Sequence, residues 1–190
     1  MSQFKILPEA IAVKEIDQAT EVVASLLDNK ILAFDTETTG LSRTKDRAVI
    51  IAISDGDSRW AVYPEVFHIF KQVLENPEIK LIAHNANFDA HMLRNVGIDI
   101  YRYANRTHYR LYDTMVMHAL MNDQESHSLK NLSKEYLGIE MVPFKQVFGS
   151  QMRKRTLHDL LLDPENEEIV TNYASLDAWA TFWLCSALHE

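Results

Sequence analysis

Cysteine is nearly absent from this 190-residue chain, with Cys185 standing alone. That excludes an internal disulfide framework and fits a reducing, intracellular setting, read here as cytoplasmic. Cys185 lies among Trp183, Leu184, Ala187 and Leu188, so a small buried hydrophobe is the better reading than a nucleophile. No apolar run is long enough to span a membrane, and Met1 to Glu9 lacks the basic start and apolar run of a signal peptide. Internal repeats, low-complexity tracts and linkers are also missing, so the expectation is one domain over residues 1–190. The chain has no excess of positive charge either. Its formal net charge is −8, whereas phosphate binders usually display basic patches. Sign alone does not exclude a polyanionic ligand, because two divalent ions add four positive charges, taking −8 to −4, and can themselves hold a phosphate.

What is present centres on residues 31–41, Ile-Leu-Ala-Phe-Asp-Thr-Glu-Thr-Thr-Gly-Leu. Four apolar residues in a row predict a strand buried on both faces. Side chains alternate along a strand, so Asp35 and Glu37 share one side, about 7 Å apart along the chain. Paired carboxylates beside a core repel and are poorly solvated, which calls for a positive partner between them, a divalent metal ion being the obvious one. The competing reading has both residues capping a loop that turns through Thr38, Thr39 and Gly40.

Elsewhere the periodicities predict a helix over 17–29, a strand over 30–36, and two strands over 48–54 and 58–63 joined as a hairpin at Asp55-Gly56-Asp57. A helix over 65–75, a strand over 79–83 and a helix over 87–96 ending at Gly97 follow. From Asp113 onward the pattern is mainly helical, over 114–121, 129–137, 157–162 and 165–188.

A second chemical stretch, residues 81–89, reads Leu-Ile-Ala-His-Asn-Ala-Asn-Phe-Asp. A buried strand runs there into a polar turn and a helix, a setting in which polar groups gather at the carboxyl ends of strands. Asp89 alone could equally be a helix-dipole partner. His84 and His91 raise the question of zinc, but no cysteine is near and the candidate partners are carboxylates, which suit harder ions. These two, with His118, His127 and His158, read as satisfied structural or surface histidines. A third stretch places Tyr173 and Asp177 four apart in the last predicted helix, on one face. Basic residues cluster in three places: Arg43, Lys45 and Arg47; Arg102, Arg106 and Arg110 interleaved with Tyr101, Tyr103 and Tyr109; and Arg153, Lys154 and Arg155. Basic residues beside aromatics suit single-stranded nucleic acid, although a solvated loop is the simpler account of any one cluster.

Asp-x-Glu at a strand end, Asn85 to Phe88-Asp89 in a strand-to-helix turn, and Tyr-x-x-x-Asp in a late helix occur in this order and these contexts. In them the sequence resembles the tyrosine-bearing branch of the 3′–5′ exonucleases named for four acidic residues. It is most similar to the proofreading exonuclease domain of family A DNA polymerases. Residues 15–189 carry the resemblance, including Tyr112-Asp113-Thr114-Met115 and Ser128-Leu129-Lys130-Asn131-Leu132. The resemblance implies an α/β, ribonuclease-H-like mixed sheet flanked by helices, with a helical C-terminal half. It also implies metal ligands at Asp35, Glu37, Asp89 and Asp177, a water-orienting Tyr173, and substrate contacts from Leu41, Asn85 and Phe88.

Four carboxylates suit phosphodiester hydrolysis, in which two ions about 3.5–4 Å apart serve both ends of an in-line displacement. Mg²⁺ or Mn²⁺ is the expected pair, one site among Asp35, Glu37 and Asp177 and the other between Asp35 and Asp89. Tyr173, with an ordinary phenol pKa near 10, is better cast as a hydrogen-bonding orienter than as a base. The expected substrate is the 3′ end of single-stranded or mismatched DNA, with a DNA polymerase or another replication protein as partner and work in proofreading, replication or repair. A ribonuclease D-like exoribonuclease and a non-catalytic nucleic-acid-binding module are the rival classes.

Overall fold

The computed structural model describes residues 6–102, 110–151 and 155–189. Its strands are β1 (Ala10–Val13), β2 (Ile31–Thr38), β3 (Ala48–Ser54), β4 (Arg59–Val62), β5 (Lys80–Ala83) and β6 (Leu111–Asp113). Its helices are α1 (Ile16–Leu27), α2 (Phe67–Leu74), α3 (Ala86–Arg94), α4 (Thr114–Met121), α5 (Leu129–Leu137), α6 (Phe144–Phe148), α7 (Leu157–Leu161) and α8 (Glu167–Ala187). The sheet order is β1-β4-β3-β2-β5-β6. β3 pairs antiparallel with β2 and β4, and the other pairings are parallel, so β3 runs against the rest. This is the ribonuclease-H-like mixed sheet that the resemblance implied, with its strands in the first part of the chain and helices dominating after β6.

Alternation along β2 divides the core. Leu32 and Phe34 face one side, packing with Val23, Leu26, Phe70, Leu74 and Leu93 from α1, α2 and α3. Ala33 faces the other, with Ile82 and Cys185 of α8, and further cover on that side comes from Val170, Ala174 and Ala178 of the same helix and from Phe148 of α6 and Leu160 and Leu161 of α7. Small residues let α8 approach the sheet closely: Ala174, Ser175, Ala178, Ala180 and Thr181 are all fully buried. Cys185 is buried, as its apolar neighbours suggested.

Two polar anchors fix where α8 lies. The guanidinium of Arg59, buried on β4, donates to the carbonyls of Pro8 and Asn172, to Asn172 Oδ1 and to Ser175 Oγ, gripping α8 on both sides of Tyr173. At the β3–β4 turn, the carbonyl of Gly56 accepts both indole N–H groups of Trp179 and Trp183, at 3.1 Å each. Gly56 has φ +91°, and a Cβ there would come within 2.5 Å of the Phe182 ring, so both backbone and packing demand glycine.

Most predicted elements appear within a residue or two of their expected ends, and the hairpin forms at Asp55-Gly56-Asp57. β1, β6 and α6 were not expected. They span three to five residues each, too short for a period to show, and both strands exist by pairing in parallel with distant neighbours.

Candidate active site

The site forms at the carboxyl end of β2, where the strand offers different side chains to its two faces. Asp35 and Glu37 project toward α8, where Asp177 meets them. One oxygen from each of the three carboxylates lies within 4.8 Å of the others. Thr36, between them in sequence, points to the opposite face and donates its hydroxyl to Asp89 Oδ1 at 2.6 Å. Asp89 is buried in the first turn of α3 and held in place from β2; it is outside the trio, but its charge acts on Asp35 and Glu37.

Four acidic groups crowded into a poorly solvated pocket resist ionisation. Burial is the chief cause for each. The Glu37 carboxyl is pushed up to about 8 by burial, with the Asp177 charge adding to it. Asp177 is pushed up to about 7 by burial. Asp89 also rises to about 7, its hydrogen bonds from Thr36 holding it lower than burial alone would. Asp35 lies well above the carboxylate range through burial and through the charges of Asp89, Asp177 and Glu37. Among the described residues the opposing charge is that of Lys130 of α5, which favours ionisation of Asp35, Glu37 and Asp177. Such a cluster gains most from a cation. Its donors are carboxylate oxygens with no thiolate or imidazole among them, which suits Mg²⁺ or Mn²⁺ better than zinc.

Tyr173 stands one helical turn before Asp177. Its ring packs edge-on against Phe144 and Phe148, with centroids 5.5 and 6.1 Å away. Burial, then the charges of Asp177, Glu37 and Asp35, keep the phenol well above its ordinary range, so it stays protonated at any working pH. The Lys130 ammonium donates to Tyr173 Oη at 3.0 Å and to the Val142 carbonyl at 2.8 Å.

Of the residues expected on the substrate side, Leu41 lies on the loop after β2 and Asn85 and Phe88 at the start of α3. Leu41 is 84% exposed on a loop closed by Asp46, which accepts from Thr39 Oγ1 and from the Ser42 N–H. Asn85 has φ +72°, the one non-glycine residue with positive φ among the described residues. Phe88 packs partly into the α1–α3 core. Asn85 does not cap α3 with its own side chain. Asp113, at the end of β6, does so by proxy. It accepts from the backbone N–H groups of Asn85 and Ala86 at 3.0 and 2.8 Å and also caps α4 through Met115 and Val116.

Three sequence readings change. Arg110 is buried and ties together the carbonyls of Leu74, Ile79 and Ile100, so it serves the fold and not a nucleic acid. Arg102 pairs with Glu75, and Arg155 with Asp163. Tyr103, Arg106, Tyr109, Arg153 and Lys154 lie outside the described residues. Histidines expected to be satisfied are only partly so: His84 meets Thr114 and His118 meets His127, both at 2.8 Å, but the buried His118 Nε2 has no partner among the described residues. Lys130, Thr36 and Asp113 carried no expected role. Only Asp113 left a usable sign, an aspartate immediately before a helix.

Comparison with known proteins agrees with this geometry. The sequence model of the DNA polymerase A 3′–5′ exonuclease family matches residues 10–190. DNA polymerase DpoZ of Salmonella phage PMBT28 is 32% identical over 165 residues, covering 77% of this chain and 24% of that protein. DNA polymerase I of Pseudomonas aeruginosa is 25% identical over 181 residues, covering 87% and 19%. The chain thus spans about a quarter or less of these relatives' lengths. Among solved structures, Escherichia coli RNase D, described as an exoribonuclease involved in structured RNA processing, superposes with a TM-score of 0.74 at 17% identity, over 96% of this chain and 44% of that one. Brucella melitensis NrnC with bound Mg²⁺ superposes at 0.62 with 19% identity, over 94% and 77%. Sequence and fold together make this chain a member of the 3′–5′ exonuclease family of the family A DNA polymerases.

Proposed function

We propose that this chain removes nucleotides from the 3′ end of single-stranded or mismatched DNA, releasing nucleoside 5′-monophosphates. The observation that carries this reading is the convergence of Asp35, Glu37 and Asp177 within 4.8 Å, with Tyr173 on the same helix as Asp177. The polymerase relatives favour DNA as the substrate and a DNA polymerase as the partner, with proofreading as the setting.

Asp35, Glu37 and Asp177 would hold one Mg²⁺ or Mn²⁺, and Asp35 with Asp89 would help to hold a second. When bound, the ions supply positive charge to the phosphate oxygens and to the departing 3′-oxygen. Tyr173 keeps its proton and so donates a hydrogen bond that orients the attacking water. The water oxygen bonds to phosphorus and gives up a proton to solvent as the P–O3′ bond breaks, and the departing 3′-oxygen takes up a proton from solvent, leaving a nucleoside 5′-monophosphate and a strand ending in a 3′-hydroxyl. Leu41, exposed on the loop after β2, suits a wedge against the terminal base, and Asn85 and Phe88 border the pocket in which that nucleotide sits.

Product analysis on 5′-labelled DNA and RNA strands, with Mg²⁺, Mn²⁺ or EDTA, tests the reading. The expected result is a ladder of DNA shortened from its 3′ end in either metal and intact strands in EDTA. Faster loss of RNA would replace the substrate with RNA. Equal digestion in EDTA would overturn the metal site.

A further inference from the structure

Lys130 is the second residue of α5, whose start is capped by the Ser128 side chain. Leu129 and Leu132 flank it and are buried against Ala180 and Leu184 of α8, so the backbone of Lys130 is packed onto the helix that carries Tyr173 and Asp177. Its side chain is half-buried and reaches the phenol from above, 5.0 Å from the ring centroid. Two of its three ammonium protons are directed at fixed oxygens, the Val142 carbonyl at 2.8 Å and Tyr173 Oη at 3.0 Å. The carbonyl precedes α6, the helix whose Phe144 and Phe148 hold the ring edge-on.

A phenol held by its ring alone can still rotate its O–H about the C–O bond. A donor on the oxygen removes that freedom, because Lys130 takes a lone pair and the hydroxyl hydrogen must point away from it. The Phe144 backbone N–H also acts on this oxygen, and Asp177 follows one turn later on the same face of α8, so the carboxylates are neighbours of the hydroxyl. We propose that Lys130 is a positioning residue for hydrolysis, its ammonium bridging Val142 O and Tyr173 Oη so that the tyrosine hydroxyl is aimed at the attacking water. The proposal rests on the exonuclease reading given above. The effect on kcat assigned to Lys130 runs through Tyr173; its charge beside Asp35, Glu37 and Asp177 is a separate effect, read as a change in the Mg²⁺ concentration needed, so the rates below are compared at saturating Mg²⁺.

A double-mutant cycle separates that route from a general electrostatic or structural one. Wild type, Lys130→Met, Tyr173→Phe and the double variant are compared on 5′-labelled oligothymidylate with Mg²⁺, measuring kcat and KM separately. Lys130→Met keeps the alkyl stem and its packing but loses the donor. It should lower kcat about tenfold, less than the ~100-fold cost of a fully misplaced reacting group, with KM within about twofold, since positioning acts in the transition state. The double variant should be no slower than Tyr173→Phe, because without the hydroxyl nothing is left to aim. Lys130→Gln, which keeps a neutral donor, should recover part of the loss. It also enters the cycle as the single and double variant if the methionine protein does not fold. A kcat equal to wild type, or losses that multiply in the double variant, overturns the proposal. Wild-type protein that shortens neither DNA nor RNA overturns the exonuclease reading itself, a result distinct from either.

Discussion

The hydroxyl of Thr36 and the carboxylate of Asp89 lie 2.6 Å apart, joining β2 to α3 across 53 residues of sequence. The bond places the fourth acidic residue without help from the other three, because Thr36 points away from the face that carries Asp35 and Glu37. It also favours ionisation of a buried group that burial pushes up to about 7. One strand therefore presents two carboxylates directly and positions another through the residue between them.

Thr36→Val preserves the β-branched shape and removes the donor. A buried carboxyl that loses a hydrogen bond destabilises the fold by about 1–2 kcal/mol, readable by urea denaturation. Asp89 should hold its proton to higher pH, so the rising limb of the rate against pH should move alkaline. An unmoved limb with unchanged stability would show that the bond does not govern Asp89.

The raised carboxyls give metal-free protein a distinctive response to pH. Below about pH 4 both folded and unfolded chains hold these protons. As pH rises, the unfolded carboxylates ionise freely, while Asp89, Asp177 and Glu37 stay protonated until about 7, 7 and 8. The unfolded state then binds fewer protons, so stability contributed by these groups falls across this window and is lost once pH passes 8. The melting temperature in EDTA should decline from pH 5 to 8.5. Millimolar Mg²⁺ or Mn²⁺ should raise it and flatten the decline, since cations bind the folded cluster in its ionised form. A metal-free melting temperature that climbs with pH above 5 would contradict these shifts.

Asp113 accepts four backbone N–H groups at the starts of two helices. Asp113→Ala should cost about 2–3 kcal/mol, the sum of two lost caps of typical size. The reaction rate should also drop, because the start of α3 positions Asp89. Asp113→Asn keeps one oxygen acceptor and should fall between the two in both measurements. Loss of stability with a normal rate would confine Asp113 to the fold.

Tyr173→Phe keeps the ring against Phe144 and Phe148 and removes the hydroxyl. Its kcat should fall while KM changes little, the pattern of an interaction made mainly in the transition state. Asp35→Ala should be more damaging, on the order of 10²-fold or greater, as for loss of a preorganised electrostatic group. An unaltered rate in the phenylalanine variant would remove the phenol from the mechanism, and with it the role inferred for Lys130.

What could be read from the chain depended on range. β2 announced itself through four consecutive apolar residues followed by two carboxylates at the strand period, and α5 through its periodicity and the Gly138 that ends it. Elements whose stability comes from a distant partner left no such trace. β6 has one aliphatic residue, Leu111, and becomes a strand by lying beside β5. Arg110 looked like part of a basic and aromatic patch because charge and neighbours in sequence do not reveal that three carbonyls, from the end of α2, the residue before β5 and the loop after α3, would surround it. Lys130 was visible within the Ser128–Leu132 stretch that carries part of the resemblance, but its contact with Tyr173 spans 43 residues and exists only after α5 docks on α8. The carboxylates were legible because their chemistry constrains spacing within single elements, whereas the groups that hold them are set by tertiary packing.

The shared carbonyl of Gly56 also gives this protein a built-in optical gauge. Trp179 and Trp183, two of its three tryptophans, both address that oxygen from the helix bearing Tyr173 and Asp177. Indole emission shifts with the hydrogen bonding and wetting of the ring, so any tilt or slide of α8 alters the fluorescence spectrum before it reaches the chemistry. Titrating Mg²⁺ while recording tryptophan emission, with Trp60→Phe to silence the third indole, would follow the seating of α8 without a label.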